Sequence, residues 1–456
     1  MAKQDNLNNA SIPQLTEKLI GLKRGGQFKS FIDSLRLYAF KNIGDAAGID
    51  FTFPVTALVG PNGCGKSSVL QALYGCPKDS SLGNFWFSTS LDPISDEEGS
   101  RPSLVYTYVD TNATCCEVVK TRIQKQRGDS YDPDYWEPSR PLLKLGMTLL
   151  PGGKRHATII MDVINIDFRY QLSAFDRYFY FEQLNSYHRN RRHRKQDVIR
   201  SRSSKILKGL DPNNSRSDSN EAVHILSQKE IATLSRILGK RYRAGKILFH
   251  KFHGFWAHTV VFEVESTLSP HKYTEANAGS GEVAVALLVH KLSNVKEGSL
   301  VLLDEPEYSL HPGAQREVLA YLLRQCIEKK LQIVFTTHAP AMIDGLPASS
   351  LKVFDIDPTT EKFVIHQNRS VDEAFVSIGQ RVHSAWMIRV EDALAKELLE
   401  ECMKKMVENN ELPLVFPRLV RVVFEPGGVS AMKQDMVSYS RDDAKVFMVF
   451  DGTENT

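Results

Sequence analysis

The sequence lacks the features that would place a protein in a membrane or outside the cell. No apolar run in its 456 residues approaches the roughly 18 residues that a membrane-spanning helix needs. The first residues are polar and contain no apolar core of the kind found in secretion signals. The six cysteines include no Cys-x-x-Cys pair, so their spacing indicates neither zinc ligands nor a disulfide framework. We therefore expect a globular protein of a reducing cytosol, long enough for two to four domains.

Negative charge is almost absent from one stretch. Between His188 and Lys208 there are nine Lys and Arg residues and one acid, Asp197, although the net charge of the whole chain is only +3. Clustered cations suit a phosphate backbone; a solvated charged helix is the alternative. The candidate nucleic-acid contacts are Arg189, Arg191, Arg192, Arg194, Lys195, Arg200 and Arg202.

Residues 55–73 read as a short apolar strand, a glycine-rich turn and a helix. The turn, Gly60-x-x-x-x-Gly65-Lys66-Ser67, has the pattern of a phosphate-binding loop, in which the lysine reaches the β- and γ-phosphates and the hydroxyl binds Mg²⁺. Backbone N–H groups and the helix N-terminus would face the same anion. The predicted ATP-binding residues are Asn62, Gly63, Cys64, Gly65, Lys66, Ser67 and Ser68. Because Cys64 lies in this loop, we expect thiol reagents to inactivate the protein.

A second apolar strand, in residues 299–307, ends in two acids. Asp304 could hold Mg²⁺ through water, and Glu305 could orient and deprotonate an attacking water. Open α/β sheets place their chemistry at this end of a strand. A strand end with a solvated turn is the alternative, which the upstream phosphate loop disfavours.

Two flanking motifs resemble parts of ABC-type ATPases. The turn Gly279-Ser-Gly-Glu282 before an apolar helix resembles the signature motif, so that Ser280, Gly281 and Glu282 would grip the γ-phosphate held by another subunit. His338, at the end of another strand, matches the switch histidine and is a catalytic candidate together with Glu305. Residues 309–312 match the D-loop.

Gln183 is the candidate Q-loop glutamine that senses Mg²⁺, with Ser67 and Asp304 as the other metal residues; a solvated surface glutamine is the alternative. The resemblance implies that ATP and Mg²⁺ are sandwiched head-to-tail between two heads. ATP binding would then close a dimer, and hydrolysis would open it.

The C-terminal segment resembles a TOPRIM domain, in which strand-end acids bind Mg²⁺ for phosphodiester chemistry. The matching acids are Glu391, Asp451 and Glu454. Asp392 and Ala395 depart from the nuclease pattern, so we expect a degenerate or incomplete copy without intrinsic nuclease activity.

The predicted fold class is therefore α/β: an ABC-type P-loop ATPase head with a helical insertion, followed by a TOPRIM-like α/β domain. We predict a strand over Arg177–Phe181, a helix over Glu221–Leu238, and an N-terminal amphipathic segment that could serve as an oligomer contact. The predicted domains are residues 1–30, 31–186, 187–245, 246–370 and 380–456: an N-terminal extension, the first part of the head, the basic insertion, the second part of the head and the TOPRIM-like domain.

In combination, these motifs resemble the Septu-type (PtuA-like) antiphage ATPases, a group that includes retron-associated ATPases and is related to the OLD and Gabija proteins. The resemblance implies an ATPase of the bacterial cytoplasm that senses infection and controls an HNH-type nuclease effector. A reverse transcriptase with its RNA–DNA hybrid would join it in retron-linked cases. The alternatives are an OLD-like nuclease that uses its own acids, and a DNA-repair clamp, which the absence of long heptad arms disfavours.

Overall fold

The structure is a computed structural model of the chain. It describes residues 7, 9–44, 47–94, 101–127, 130–168, 172–181, 195–265, 271–357, 359–371, 373–374, 386–409, 411–412, 416, 420–424 and 446–449. The predicted site residues outside these ranges are Gln183, Arg189, Arg191, Arg192, Arg194, Asp451 and Glu454. No helix within the described ranges is both long enough and apolar enough to cross a membrane.

The main helices alternate with strands over most of the chain. The helices are α1 (Ile12–Arg24), α2 (Lys66–Tyr74), α3 (Lys195–Gly209), α4 (Gln228–Leu238), α5 (Ser280–Ser293), α6 (Pro312–Lys329) and α7 (Ala393–Glu408). The first strands are β1 (Ile32–Tyr38), β2 (Ala47–Asp50), β3 (Val55–Val59), β4 (Ser103–Val109), β5 (Cys115–Arg127), β6 (Ser130–Pro138), β7 (Val163–Asp167), β8 (His224–Ile225) and β9 (Tyr242–His250). The remaining strands are β10 (Ala257–Val264), β11 (His271–Thr274), β12 (Leu300–Asp304), β13 (Gln332–Thr337), β14 (Leu351–Ile356), β15 (Phe363–Gln367), β16 (Trp386–Val390), β17 (Val420–Phe424) and β18 (Val446–Met448).

A six-stranded sheet with the order β15-β14-β3-β13-β12-β7 forms the centre of the molecule. Its strands are parallel except for β15 at one edge. β3, β12 and β13 are buried along their whole length, which explains their uninterrupted apolar sequences. Asp304 pairs with Thr336, and Val59 pairs with Thr337. The carboxyl ends of these three strands therefore meet at one edge of the sheet.

A five-stranded antiparallel sheet, β2-β1-β4-β5-β6, lies next to the central sheet. β1 and β2 form a hairpin. The buried Gln332 joins the two sheets: its side-chain amide accepts a hydrogen bond from Ile32 N and donates one to Ile32 O, both at 2.8 Å. The glutamine thus acts as a substitute backbone partner for the first residue of β1.

Helix α1 corresponds to the predicted N-terminal amphipathic segment. Its start is set by Pro13 in the first turn and by the Gln14 side chain, which accepts a hydrogen bond from Ser11 N at 2.9 Å. The helix packs against α6, and Leu15 and Leu19 are fully buried. The apolar residues Leu15 and Leu19 are therefore covered within the same chain.

Arg177–Phe181, predicted as a strand, is a π-helical turn. The aromatic residues favoured a strand by propensity, but two local interactions outweigh it. Ser173 caps the preceding helical turn by accepting a hydrogen bond from Asp176 N at 3.0 Å. The rings of Phe175 and Phe179, four residues apart, stack with centroids 5.2 Å apart.

The helix predicted over Glu221–Leu238 begins later, at Gln228. A capping box between Ser227 and Glu230 sets this start. The preceding His224 and Ile225 form β8 instead, which pairs with β9. β8 is the edge strand of a four-stranded antiparallel sheet with the order β11-β10-β9-β8, so this region contains strands as well as helices.

The C-terminal segment forms a small sheet of its own. β17, β16 and β18 are parallel in that order, and α7 follows the central strand. A separate apolar cluster of Val390, Met403, Val420 and Val422 lies between the helix and the sheet. Glu391 directly follows β16.

The buried Lys120 of β5 fixes the turn that follows α2. Its Nζ donates hydrogen bonds to the carbonyl oxygens of Gly75, Pro77 and Ser80 at 2.5, 2.8 and 3.2 Å. Burial lowers the pKa of this lysine, which is only 4% exposed. The lysine therefore anchors the end of the helix that begins at the phosphate loop.

Lys120→Met should lower the free energy of unfolding by about 1.5–3 kcal/mol, because three buried carbonyls lose a charged donor. Lys125→Met on the same strand is the matched control, since its amine is exposed and contacts the Glu137 carboxylate and the Tyr135 ring. Denaturant unfolding measures both. Equal stability of the two variants would show that the contacts of Lys120 are dispensable.

Candidate nucleotide-binding site

The phosphate loop curls tightly against the central sheet. The position of Gly60 leaves no room for a side chain, because a β carbon there would lie 2.6 Å from the carbonyl oxygen of Phe354 on β14. Gly65 has a φ of +91° and forms the left-handed N-cap of α2, a conformation that favours glycine. The loop therefore delivers the N-terminus of α2 and its unpaired N–H groups to the edge where β3, β12 and β13 end.

Lys66 is folded back along the loop. Its Nζ donates hydrogen bonds to the carbonyl oxygens of Gly60 and Pro61 at 2.9 and 2.7 Å. Burial lowers the pKa of this lysine, whereas the neighbouring Cys64, Glu305 and Asp304 oppose that shift. The amine thus lies within a few ångströms of the loop concavity, where a phosphate would compete with the two carbonyls.

The start of helix α2 and the end of β13 meet at the carboxylate of Asp304, which ends β12. Its Oδ1 accepts hydrogen bonds from the Ser67 hydroxyl at 3.1 Å and from the Thr336 hydroxyl at 2.5 Å. Thr336 Oγ1 in turn accepts a hydrogen bond from the backbone N–H of Glu305 at 3.0 Å. The structure therefore brings together Ser67 and Asp304, which the sequence predicted as metal residues.

Glu305 has a left-handed backbone conformation, with a φ of +51°. Such a φ costs a non-glycine residue of the order of 1–3 kcal/mol, and the hydrogen bond to Thr336 helps to hold it. The Glu305 carboxylate then lies 3.6 Å from His338 Nε2. The turn thus directs the predicted general base towards the predicted switch histidine.

His338 is held by its backbone and leaves its ring nitrogen available. A carboxylate oxygen of the buried Glu307 accepts hydrogen bonds from His338 N at 2.9 Å and from the Thr337 hydroxyl at 2.6 Å. His338 Nε2 is shielded from solvent and makes no hydrogen bond within the described ranges. Burial, with Lys66 nearby, lowers the pKa of His338, so the ring is neutral at pH 7.

The phosphate loop and Glu305 line a cavity of about 520 Å³. The lining residues are Asn62, Gly63, Gly65, Lys66, Ser67, Ser68, Glu305 and Phe363. Most of the predicted ATP-binding residues are therefore brought together. Cys64 is the exception, because its thiol is fully buried and donates to Pro61 O at 2.9 Å; only its backbone is available to a ligand.

The signature-like turn is outside this cavity. Ser280 is exposed in the first turn of α5. Glu282 is engaged as a cap: its carboxylate accepts hydrogen bonds from Gly279 N at 3.0 Å, Tyr273 at 2.8 Å, Lys240 at 2.9 Å and the Tyr242 hydroxyl. These contacts fix the shape of the turn and leave the Ser280 hydroxyl facing solvent.

Gly281 couples this turn to the loop that follows Glu305. A β carbon at Gly281 would lie 2.6 Å from Ser309 O and 2.9 Å from the Leu310 side chain. Ser309 itself has a φ of +62°. The predicted D-loop therefore packs directly against the signature-like turn of its own chain.

The donor set fits ATP and Mg²⁺. Hydroxyl and carboxylate oxygens, such as those of Ser67 and Asp304, are ligands that Mg²⁺ prefers. His338 Nε2, which makes no hydrogen bond to the described residues, and the amine of Lys66 could both donate to a γ-phosphate. The helix N-terminus adds backbone N–H groups.

Sequence reasoning missed Thr336, Glu307 and Phe363. Thr336 and Glu307 lie inside motifs that had been singled out, but their roles depend on how β12 and β13 pair. Phe363 comes from β15 and lines the cavity, with its ring 2.8 Å from where a β carbon of Gly65 would be. No local pattern in the sequence indicates that contact.

The described basic residues differ in their availability. Lys195 Nζ donates to Phe179 O at 2.7 Å, and the Arg202 guanidinium lies 5.5 Å from the Tyr178 ring centroid. Both therefore support the fold near α3. Arg200 is largely exposed and pairs with Asp197 at 2.8 Å, so it is the most available of the three for a phosphate backbone.

A larger cavity of about 630 Å³ lies between α3 and the sheet of β9, β10 and β11. Its residues include Ile206, Leu210 and Val261, with the buried Glu275 at one side. Burial raises the pKa of Glu275 to about 7. This cavity has no phosphate-binding turn and no strand-end acid pair, so we do not assign the nucleotide to it.

A phosphate loop, an acid pair and a histidine assembled at one sheet edge define a P-loop ATPase site. The family described as "AAA domain, putative AbiEii toxin, Type IV TA system" matches residues 132–344. That range contains the strand-end acids, and the phosphate loop precedes it. This part of the chain is therefore similar to an AAA domain.

Short segments of the chain are similar to chromosome partition proteins Smc. The identity is 51% over 43 residues with the protein of Mycoplasma genitalium and 36% over 64 residues with that of Fusobacterium nucleatum. These segments are 9% and 14% of this chain, and only 4% and 5% of the relatives' lengths.

Solved structures of SMC head domains also match. The head from Thermotoga maritima has 14% identity and a TM-score of 0.37, covering 74% of this chain and 99% of that chain. The head with an extended coiled coil, bound to the C-terminal domain of ScpA derived from Pyrococcus furiosus, has 13% identity and a TM-score of 0.40, covering 83% and 99%.

The position of Cys64 revises the expected effect of thiol reagents. Burial raises the pKa of its thiol, and the thiolate is the reactive form. We therefore expect iodoacetamide at neutral pH to label the exposed Cys115 and Cys402 before Cys64, with little loss of ATP binding. Mass spectrometry of the peptides measures this order, and labelling of Cys64 first would contradict it.

Proposed function

We propose that the chain is an ABC-type ATPase whose active site is completed by a second copy of itself. The supporting observation is the separation of two half-sites. The phosphate loop and Glu305 line one cavity, with Asp304 bonded to Ser67 and His338 next to Glu305. Ser280, by contrast, is exposed on the first turn of α5 outside that cavity. An exposed hydroxyl at a helix N-terminus suits a γ-phosphate presented by a partner.

The geometry gives each residue a role in hydrolysis. Lys66 and the N-terminus of α2 bind the phosphates, and Mg²⁺ held by Ser67 and Asp304 would neutralise their charge. Glu305 orients and deprotonates the attacking water. His338, neutral and with a free Nε2, contacts the γ-phosphate. Glu307 positions His338 through its backbone and through Thr337.

The contact between Gly281 and Ser309 suggests how the two half-sites communicate. The loop that begins at Glu305 senses the state of the γ-phosphate, and its far end packs against the turn that would grip the partner's nucleotide. A change at Glu305 is thereby passed to Ser280 through packed backbone. We infer that ATP closes the dimer and that hydrolysis releases it.

In the cell, we propose that this ATPase acts in the bacterial cytoplasm as the sensor of an antiphage defence complex of the Septu type. The support is the sequence resemblance: the signature-like turn, the acids of β12 and the C-terminal strands occur in that order. The proposed partners are an HNH-type nuclease effector and, in retron-linked systems, a reverse transcriptase with its RNA–DNA hybrid. Infection would change the ATP state and thereby the activity of the effector.

Two alternatives have observations that favour them. Glu391 directly follows β16 in a sheet of three parallel strands, which fits a TOPRIM-like domain with nuclease activity. The departures from the nuclease pattern at Asp392 and Ala395 fit a partner-docking role for the same domain instead. The local similarity to chromosome partition proteins favours a DNA clamp. Plasmid cleavage by the purified chain that Glu391→Ala abolishes would support the nuclease.

Glu305→Gln should bind ATP normally but hydrolyse it about 10²–10⁴-fold more slowly, because the amide cannot accept the proton of water. The variant should therefore accumulate as an ATP-bound dimer, measured by light scattering after gel filtration with and without ATP. The matched control is the double variant with Lys66→Ala, which should remain monomeric. Undiminished turnover, or a monomer with bound ATP, would contradict the proposal.

The basic stretch should bind nucleic acid through its arginines. Replacing Arg191, Arg192 and Arg194 by Ala should weaken DNA binding and reduce the slope of log affinity against log salt by about 2–3, if each contacts one phosphate. ATP binding should be unchanged. A mobility-shift titration at several salt concentrations measures the slope.

The control for that variant removes three cations elsewhere. Lys18, Arg24 and Lys29 are exposed near α1, and their replacement by Ala changes the net charge equally. The proposal requires that only the insertion variant loses affinity. If both variants lose the same DNA affinity, the effect comes from the overall charge of the protein. If neither variant loses affinity, the basic stretch does not contact DNA.

A further inference from the structure

Two histidines and a glutamate converge at a position that the ATP site does not use. His224 lies on β8, Glu230 lies in the first turn of α4, and His290 lies in the last turn of α5. One ligand atom of each residue lies within 4.8 Å of the other two. The three residues come from separate elements, so the cluster is a product of the tertiary fold.

The glutamate at the centre of this cluster is buried and oriented. Glu230 is 4% exposed. Its Oε2 accepts hydrogen bonds from Ser227 N and from the Ser227 hydroxyl, both at 2.8 Å, while its Oε1 lies 2.9 Å from His224 Nε2. The helix cap therefore holds one oxygen and directs the other at the histidines, as second-layer contacts do at metal sites.

The rings of His224 and His290 are close together, and their surroundings favour the forms that bind metal. The His224 and His290 ring centroids lie 4.2 Å apart. Burial, together with His224, lowers the pKa of His290 to about 4. Burial alone would raise the pKa of Glu230, but the hydrogen bonds from Ser227 and His224 outweigh it and hold the pKa below its usual range. A neutral imidazole and an ionised carboxylate are the forms that bind metal.

Charged groups from the neighbouring elements also face the cluster. Lys291 follows His290 on α5 and contributes to the lowered pKa of His290. On α6, Lys329 donates to the Leu292 and Ser293 carbonyls at 2.7 and 2.8 Å, and Glu328 pairs with Lys229 at 2.6 Å. Lys329 and Glu328 are therefore engaged by other groups, and Glu230 is the carboxylate available to an ion at the cluster.

We propose that His224, Glu230 and His290 form a zinc-binding site. Imidazole nitrogen and carboxylate oxygen are the ligands that Zn²⁺ takes in three-ligand sites, with a fourth position left for water. Two tetrahedral ligands at about 2.1 Å from zinc are about 3.4 Å apart. The 2.9 Å distance between His224 Nε2 and Glu230 Oε1 would therefore widen by about half an ångström.

Such an ion would hold the C-terminal end of helix α5, the helix that begins at the signature-like turn. His290 is in the last turn of α5, and Ser280 is in the first; at 1.5 Å per residue the two ends are about 15 Å apart. None of the three zinc ligands lines the nucleotide cavity, so the zinc site is separate from the Mg²⁺ position at Ser67 and Asp304. It would tie α5 to α4 and to the edge strand β8, and so hold the helix that presents Ser280.

The test measures zinc binding without nucleotide and with excess Mg²⁺, so that the acids of the ATP site are occupied. The protein carries Cys115→Ser and Cys402→Ser, which removes the two exposed thiols. We expect about one equivalent of zinc that competes with a chromogenic chelator, and a higher Tm with zinc. Cobalt should give the absorption of a tetrahedral site without thiolate bands.

Two variants and one control decide the outcome. His290→Ala and Glu230→Gln should lose the zinc equivalent and the rise in Tm; the glutamine keeps an acceptor for Ser227, so α4 retains its cap. His271→Ala, at an exposed histidine on β11, should bind zinc like the parent protein. The proposal is overturned if the parent retains no zinc, or if Glu230→Gln binds zinc as tightly as the parent.

Discussion

The structure of the ATP site depends on one carboxylate, that of Asp304. Hydroxyls from the helix after β3 and from the end of β13 both donate to it. In a parallel sheet each strand end would otherwise leave its polar groups to solvent. The shared carboxylate fixes α2, β12 and β13 relative to one another, and the strained backbone of Glu305 follows from that arrangement through Thr336.

Two contacts of the loop after Asp304 link the site to residues outside its cavity. One runs through Glu307, which holds the switch histidine by its N–H. The other runs through Ser309, on which Gly281 packs without a side chain. Helix α5 is therefore in contact with the loop after Glu305 at one end and carries His290 of the His224–Glu230–His290 cluster near the other. This arrangement makes α5 the element through which the two proposed ions and a partner subunit would influence one another.

The parts of the site that the sequence predicted are those set by local patterns. The glycine spacing of the phosphate loop and the apolar strand before Asp304 required no knowledge of tertiary structure. The contacts of Thr336 and Glu307 could not be predicted, because they depend on the register between β12 and β13. Cys64 was misjudged for a similar reason: the curl of the loop turns its thiol into the core. The π-helical turn at Arg177–Phe181 shows local capping and ring stacking overriding strand propensity.

The central claim is that the active site is shared between two copies of the chain. Mixing two variants tests it: Lys66→Ala loses the phosphate-binding half, and Ser280→Arg loses the signature half. Each alone should be inactive. A mixed dimer has one intact composite site, so an equal mixture with random pairing should recover about a quarter of wild-type ATP hydrolysis. No recovery on mixing, or full activity of Ser280→Arg alone, would contradict the shared site.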